Sequence, residues 1–306
     1  MSEVKATVGI IGVGIMGSAM GTRLLQCGHR VTLFDRNPPK VAAMVEKGAQ
    51  AAASPREVAA ASGFIITCVN SAAAVRELVF GANGVIEAAA PDKLLIDMSS
   101  IDPPSTRQMA EELERRAGMA WVDAPLSGGA PRALEGRLTV MAGGTSSAVT
   151  RARAVMDDLC ANYTHMGPSG AGQMTKLVNQ ILVSLTTQAV AEAIRFAEAG
   201  GVEAARIPAA LAGGRADSRI LQELGPLMAA RDPKPIGRID NMLKDLEGVQ
   251  AVAMPYRLPL PLTSAITELH RTFVAAGLGP EYTAAYMKQF DGYRAQPPAA
   301  GVESRS

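Results

Sequence analysis

Gly9-Ile-Ile-Gly12-Val-Gly14-Ile-Met-Gly17 follows an apolar, β-prone run from Ala6 to Ile11 and opens a helical pattern over Ser18–Gln26. That context decides the fold. Between a strand and a helix, Gly12 permits a tight turn and Gly14 lets the backbone approach a pyrophosphate. Gly17 lets helix and strand pack closely. A helix N-terminus offers unpaired amides and a positive dipole end to phosphate. Asp35 ends the next strand pattern, 18 residues after Gly17. A carboxylate there binds both ribose hydroxyls of NAD and repels a 2′-phosphate. Arg36 follows and could cover such a phosphate, so NAD is expected and NADP stays open.

Outward from this turn, strands are predicted at Ala6–Ile11, Arg30–Phe34, Phe64–Val69, Leu94–Met98 and Ala120–Asp123. Helices are predicted at Ser18–Gln26, Pro39–Lys47, Pro55–Ala61, Ala72–Leu78 and Pro104–Arg116. This alternation predicts a parallel sheet covered on both faces. Two more strands are expected at Arg137–Ala142 and Tyr163–Met166. From about Ser169 strand signals vanish. The expectation is an α/β Rossmann-type doubly wound sheet over 1–168, then an all-α C-terminal domain over 169–295. A frayed tail is expected from 296 to 306.

The bulk properties narrow the function. The 306 residues carry 30 basic and 29 acidic side chains, net +1, so no pull toward nucleic acid or an anionic membrane is expected. No signal-peptide layout opens the sequence, no membrane span is expected, and the cytoplasm is the expected compartment. Cys27, Cys68 and Cys160 are far apart and odd in number, and read as small core residues in a reducing compartment. His29, His165 and His270 form no ligand spacing, and no metal site is expected.

Between Asp158 and Glu192 the only formal charge is Lys176. Met174, Leu177, Val178, Ile181, Leu182 and Leu185 recur at helical spacing around it, while Lys176, Asn179 and Gln180 share another face. On a buried helix at an expected cleft between domains, desolvation would lower the lysine pKa and make it a usable acid or base. It could also snorkel to the surface. Three other segments invite double readings. Ser127-Gly128-Gly129 could cradle a carboxylate with a hydroxyl and amides, or be a turn. Lys244-Asp245 could be a surface pair. Asp97-Met-Ser99-Ser100-Ile-Asp102 could meet a ligand at a strand end or cap a helix. Arg219, with Arg215 four residues before it, could read the far end of a substrate from a helix face or be solvated.

Read in order, these segments resemble the β-hydroxyacid dehydrogenases. The resemblance covers about residues 4–290. It is carried by Gly12-x-Gly14-x-Met16-Gly17, Asp123-Ala-Pro-x-Ser127-Gly128-Gly129, Gly170-x-Gly172-x-x-x-Lys176-x-x-Asn179-Gln180 and Lys244-Asp245-Leu246. It implies NAD(P)-dependent hydride transfer on a small hydroxy acid by a homodimer or homotetramer. Lys176 would be the acid/base, and Ser127, Gly128 and Gly129 would hold the substrate carboxylate. Asn179 would orient the substrate. Ile15, Met16, Val69, Asn70, Ser100 and Lys244 would join the glycine turn around the cofactor. Val69-Asn70-Ser71 and Leu258-Pro-Leu-Pro-Leu262 look like the L-threonate dehydrogenase branch, whereas Glu281-Tyr-Thr-Ala-Ala285 departs from it and leaves the substrate open. An imine reductase of related fold and a non-catalytic cofactor-binding module are the alternatives. Imine reductases look different in replacing the lysine.

Overall fold

The computed structural model describes residues 5–292; the tail expected at 296–306 lies outside them. The chain divides into two compact units, 1–178 and 179–306. In order, the first unit holds β1 (Thr7–Ile11), α1 (Ile15–Gln26), β2 (Arg30–Phe34), α2 (Pro38–Val45), β3 (Gln50–Ala51), α3 (Pro55–Ala61), β4 (Phe64–Thr67), α4 (Ala72–Phe80) and β5 (Leu94–Asp97). It continues through α5 (Pro103–Ala117), β6 (Ala120–Asp123), β7 (Leu126–Ser127), α6 (Gly129–Leu134), β8 (Leu138–Gly143), α7 (Ser146–Leu159) and β9 (Cys160–Gly167). α8 (Ala171–Ala199) then starts in the first unit and crosses into the second.

The sheet order is β3-β2-β1-β4-β5-β6-β8-β7, with β9 on β8. Strands β1 to β6 run parallel, and β8 returns antiparallel to β6. Alternate residues of one strand feed opposite faces, as the pleat requires. Ile10, Ile66 and Ile96 meet Met20 and Leu24 of α1 and Val155 of α7. Ile11, Ile65 and Leu95 meet Val58 of α3, Val79 of α4 and Leu113 of α5. Each such fully buried side chain contributes about 1.5–3 kcal/mol relative to exposure. The chain order reverses between β1 and β4, the switch point where such sheets bind ligands.

The expected strands at Phe64–Val69 and Leu94–Met98 end early, at Thr67 and Asp97. Cys68, Val69 and Met98 thereby pass into loops beyond the sheet. Pairs as short as β3 and β7 show no period in sequence. The segment of α7 did carry a signal: Thr145 caps it, accepting from Ala148 N–H, and Ala148, Val149, Ala152, Val155, Met156 and Leu159 are buried at helical spacing.

The second unit continues α8 with α9 (Ile207–Leu211), α10 (Arg219–Ala230), α11 (Ile239–Ala253) and α12 (Pro261–Ala275), and a 3-10 stretch at Thr283–Phe290. Among its described residues the β-type pairing is one isolated bridge, Arg238 to Tyr282. Its core joins Val190 and Ile194 of α8 to Leu224, Met228, Phe273 and Tyr286. By length and composition α8 is long and apolar enough to cross a bilayer. Its buried face, however, carries Gln173, Gln180, Ser184 and Thr187, which suits a helix packed against protein.

Candidate active site

Gly12 takes φ +101°, and a Cβ there would lie 2.4 Å from the Cys68 carbonyl oxygen. A Cβ on Gly17 would lie 2.0 Å from the Gly12 carbonyl oxygen. Both positions therefore demand glycine to bring β1, α1 and the β4 loop together. Gly14 is different: a Cβ there meets nothing within 4 Å. Its backbone faces open space at the start of α1, where the first-turn amides have no intrahelical acceptor. Ile15 is 81 % exposed beside it. The space belongs to a cavity of about 300 Å³ bordered by Gly12, Gly14, Asp35, Arg36, Val69 and Asn70, all expected cofactor residues. Lys40, in the first turn of α2, borders it too, though the sequence reading does not single it out. Asp35 has a second role absent from that reading: Oδ2 accepts from Val13 N–H at 2.7 Å and Oδ1 from Asn37 N–H at 2.8 Å. The carboxylate thus holds the glycine turn in place. A dinucleotide fits these residues: a helix start with open backbone, a carboxylate at the β2 end, and a cavity at the switch point.

A second group of residues gathers at the ends of β5 and β6. Lys176 is half-buried on α8, and its Nζ donates to the Leu126 carbonyl at 2.9 Å. The ammonium therefore abuts the segment Ser127-Gly128-Gly129. Gly128 has φ +127° and Gly129 φ +70°, so both need glycine, and Gly128 caps α6. The turn reading and the cradle reading of this segment are compatible: the turn exposes both glycines.

Ser100 precedes Ile101, whose N–H donates to Gln173 Oε1 at 3.2 Å, while Gln173 Nε2 donates to the Ser99 carbonyl at 2.8 Å. Gln173 lies one turn before Lys176, so the structure brings the Ser100 loop, Lys176 and Ser127 to one end of the sheet. Asp102 is the cap of α5, accepting from Ser105 N–H. Two fully buried carboxylates lie beneath. Asp97 accepts from Thr67 and from Ser99 N–H, and burial pushes its carboxyl up to about 6. Asp123 accepts from Gly170 and Gln173 N–H at 2.8 and 3.0 Å; burial raises it and those amides oppose the rise. The signal for both was a single acid ending an otherwise apolar strand.

In the second unit, Asn179 donates to Gln180, and Gln180 donates to Asp245, which lies 3.2 Å from Lys244 Nζ. Lys244 and Asp245 thus form the ion pair that the sequence reading offered, with Asp245 the more buried partner. Arg219 is 53 % exposed and ion-paired with Glu223. The expectation of one helix face for Arg215 and Arg219 fails, because Ser218 caps α10 and Arg215 precedes the helix.

Residues 7–167 match the family described as the NAD binding domain of 6-phosphogluconate dehydrogenase. Residues 170–289 match the NAD-binding domain of NADP-dependent 3-hydroxyisobutyrate dehydrogenase. The chain is 37 % identical to the 2-hydroxy-3-oxopropionate reductase of Escherichia coli over 88 % of its own length and 92 % of that protein's. It is 30 % identical to the L-threonate dehydrogenase of Cupriavidus necator over 93 % and 96 %. It superposes on the crystal structure of 3-hydroxyisobutyrate dehydrogenase from Salmonella typhimurium with a TM-score of 0.83 and 31 % identity, covering 93 % of this chain and all of that one. The chain belongs to the β-hydroxyacid dehydrogenase family and is an NAD(P)-dependent oxidoreductase.

Proposed function

We propose that this enzyme interconverts a small β-hydroxy acid and its carbonyl form, with Lys176 as general acid/base. The observation that carries the reading is the Lys176 ammonium seated on the Leu126 carbonyl, beside two exposed glycines. Ser127 and the Gly128 and Gly129 amides bind the substrate carboxylate. Lys176 takes the proton from the substrate hydroxyl on oxidation and returns it to the carbonyl oxygen on reduction. Asn179, one turn further along α8, orients the substrate. Bound NAD(P) supplies the hydride acceptor or donor. NAD is the preferred form because Asp35 borders the cavity. Ser100 and Lys244 complete the cofactor contacts, Lys244 on the strength of the resemblance alone. Arg219 has no observation in its favour beyond exposure.

The enzyme works in the cytoplasm as a homo-oligomer. Free thiols at all three cysteines suit a reducing compartment. Leu182, Ala189 and Phe196, exposed at seven-residue intervals on α8, suit an apolar seam with a second copy. Purified enzyme with NAD or NADP and a panel of hydroxy acids tests the reading by absorbance of the reduced cofactor. Turnover of C3 and C4 hydroxy acids is expected. Equal rates on the matching alcohols without a carboxylate would refute the carboxylate cradle, and no turnover on any hydroxy acid would refute the reaction.

A further inference from the structure

The start of α8 is held from two sides. Below it, the Asp123 carboxylate accepts the Gly170 N–H on one oxygen and the Gln173 N–H on the other. Beside it, the Gln173 side chain clasps the β5–α5 loop through Ser99 and Ile101. Asp123 and Gln173 are 0 % and 1 % exposed. There is no slack around the carboxylate. A Cβ on Gly143 would sit 2.6 Å from both its oxygens, and one on Gly172 would sit 2.8 Å from Oδ2. The neighbouring strand and the helix start are both stripped to glycine so that a buried acid can reach the helix amides. A buried carboxylate is a costly way to cap a helix when Ser, Thr or Asn would do so at the surface.

We propose that Asp123, with Gln173, is a positioning residue that fixes where α8 begins and thereby where the Lys176 ammonium stands against Leu126. The inference rests on Lys176 being the acid/base. Gln173 and Lys176 are three positions apart, just under one helical turn. A shift or tilt at the capped end therefore passes directly to the lysine. The same clasp ties the lysine to the Ser100 loop, so proton transfer and the cofactor side share one support.

The test is Asp123→Asn in the full-length enzyme. The amide can accept one of the two N–H groups but turns a donor toward the other. The expected result is a kcat lower by roughly 10–100-fold, the scale of an ångström of misplacement, with cofactor Kd and substrate KM within about twofold. A purely structural cap would lower Tm and leave the kcat of the folded enzyme unchanged, and that result would overturn the proposal. Should Asp123→Asn not fold, Gln173→Met decides, since it removes the two side-chain bonds while the backbone cap stays. A fall in kcat at unchanged cofactor Kd supports the clasp, and wild-type kcat refutes it. Lys176→Ala is run alongside. If that variant stays active, the acid/base reading fails first. If it is inactive while both other variants match wild type, only the positioning role fails.

Discussion

Lys176 Nζ lies 2.9 Å from the carbonyl oxygen of Leu126, 50 residues earlier in the chain. This contact joins the only charge on the first turns of α8 to the residue just before Ser127-Gly128-Gly129. It directs the lysine toward that segment, which supports the reading of a site lysine proposed above. The ammonium is turned to a backbone acceptor beside an exposed glycine pair and is half-buried.

Lys176→Ala should lower kcat by roughly 10²–10⁴-fold, the contribution of a positioned acid/base. Cofactor Kd, measured by fluorescence titration, should stay within about twofold. Near-full kcat across the pH range would exclude the assignment.

Asp35→Asn should weaken NAD more than NADP, because the ribose loses a charged acceptor while Arg36 and Lys40 remain at the cavity. The same change weakens the bond from Val13 N–H, so the glycine turn loosens and both cofactors bind less well than a pure swap of preference implies. Titration with each cofactor checks this. Tighter NADP than NAD binding by wild type would refute the NAD preference.

Gly128→Val should raise substrate KM, and it should also cost stability. Valine at φ +127° is strained, and its Cβ would lie 2.9 Å from Arg132 Cδ. Backbone strain of this kind costs about 1–3 kcal/mol. A thermal melt and a KM for the best hydroxy acid measure the two effects. Unchanged KM in the folded variant would remove Gly128 from the substrate site.

His270 should make the second unit acid-sensitive. It is 0 % exposed, with Nδ1 against the Ile266 carbonyl and Nε2 against the Tyr286 hydroxyl. Burial lowers its pKa from the ordinary 6.5. Below pH 6.5 the unfolded chain's histidine takes up a proton that folded His270 refuses, so stability falls as pH falls. Urea melts at pH 7.5 and 5.5 on wild type and His270→Gln read this as a difference. A wild type whose loss equals that of the variant would show that His270 does not contribute.

By itself the sequence determined the parallel strands β1, β2, β4, β5 and β6, the glycine turn after β1 and the lone charge on the first turns of α8. Each of these is written in local period or in adjacent residues. Gly12, Gly14 and Gly17 act within one turn, and Asp35 stands at the end of the next strand. A solitary charge at Lys176 is visible without any partner. Contacts that join distant strands were not legible. The pairing of Lys176 with Leu126, and of Asp123 with Gly170 and Gln173, spans some 50 residues and has no local signature. The sequence offered Arg215 and Arg219 as one helix face, and the capping serine between them separated the two. Only the tertiary structure decided that Asp123 supports a helix and that Asp35 also braces the glycine turn. A buried carboxylate must find its hydrogen bonds wherever the fold brings amides within reach.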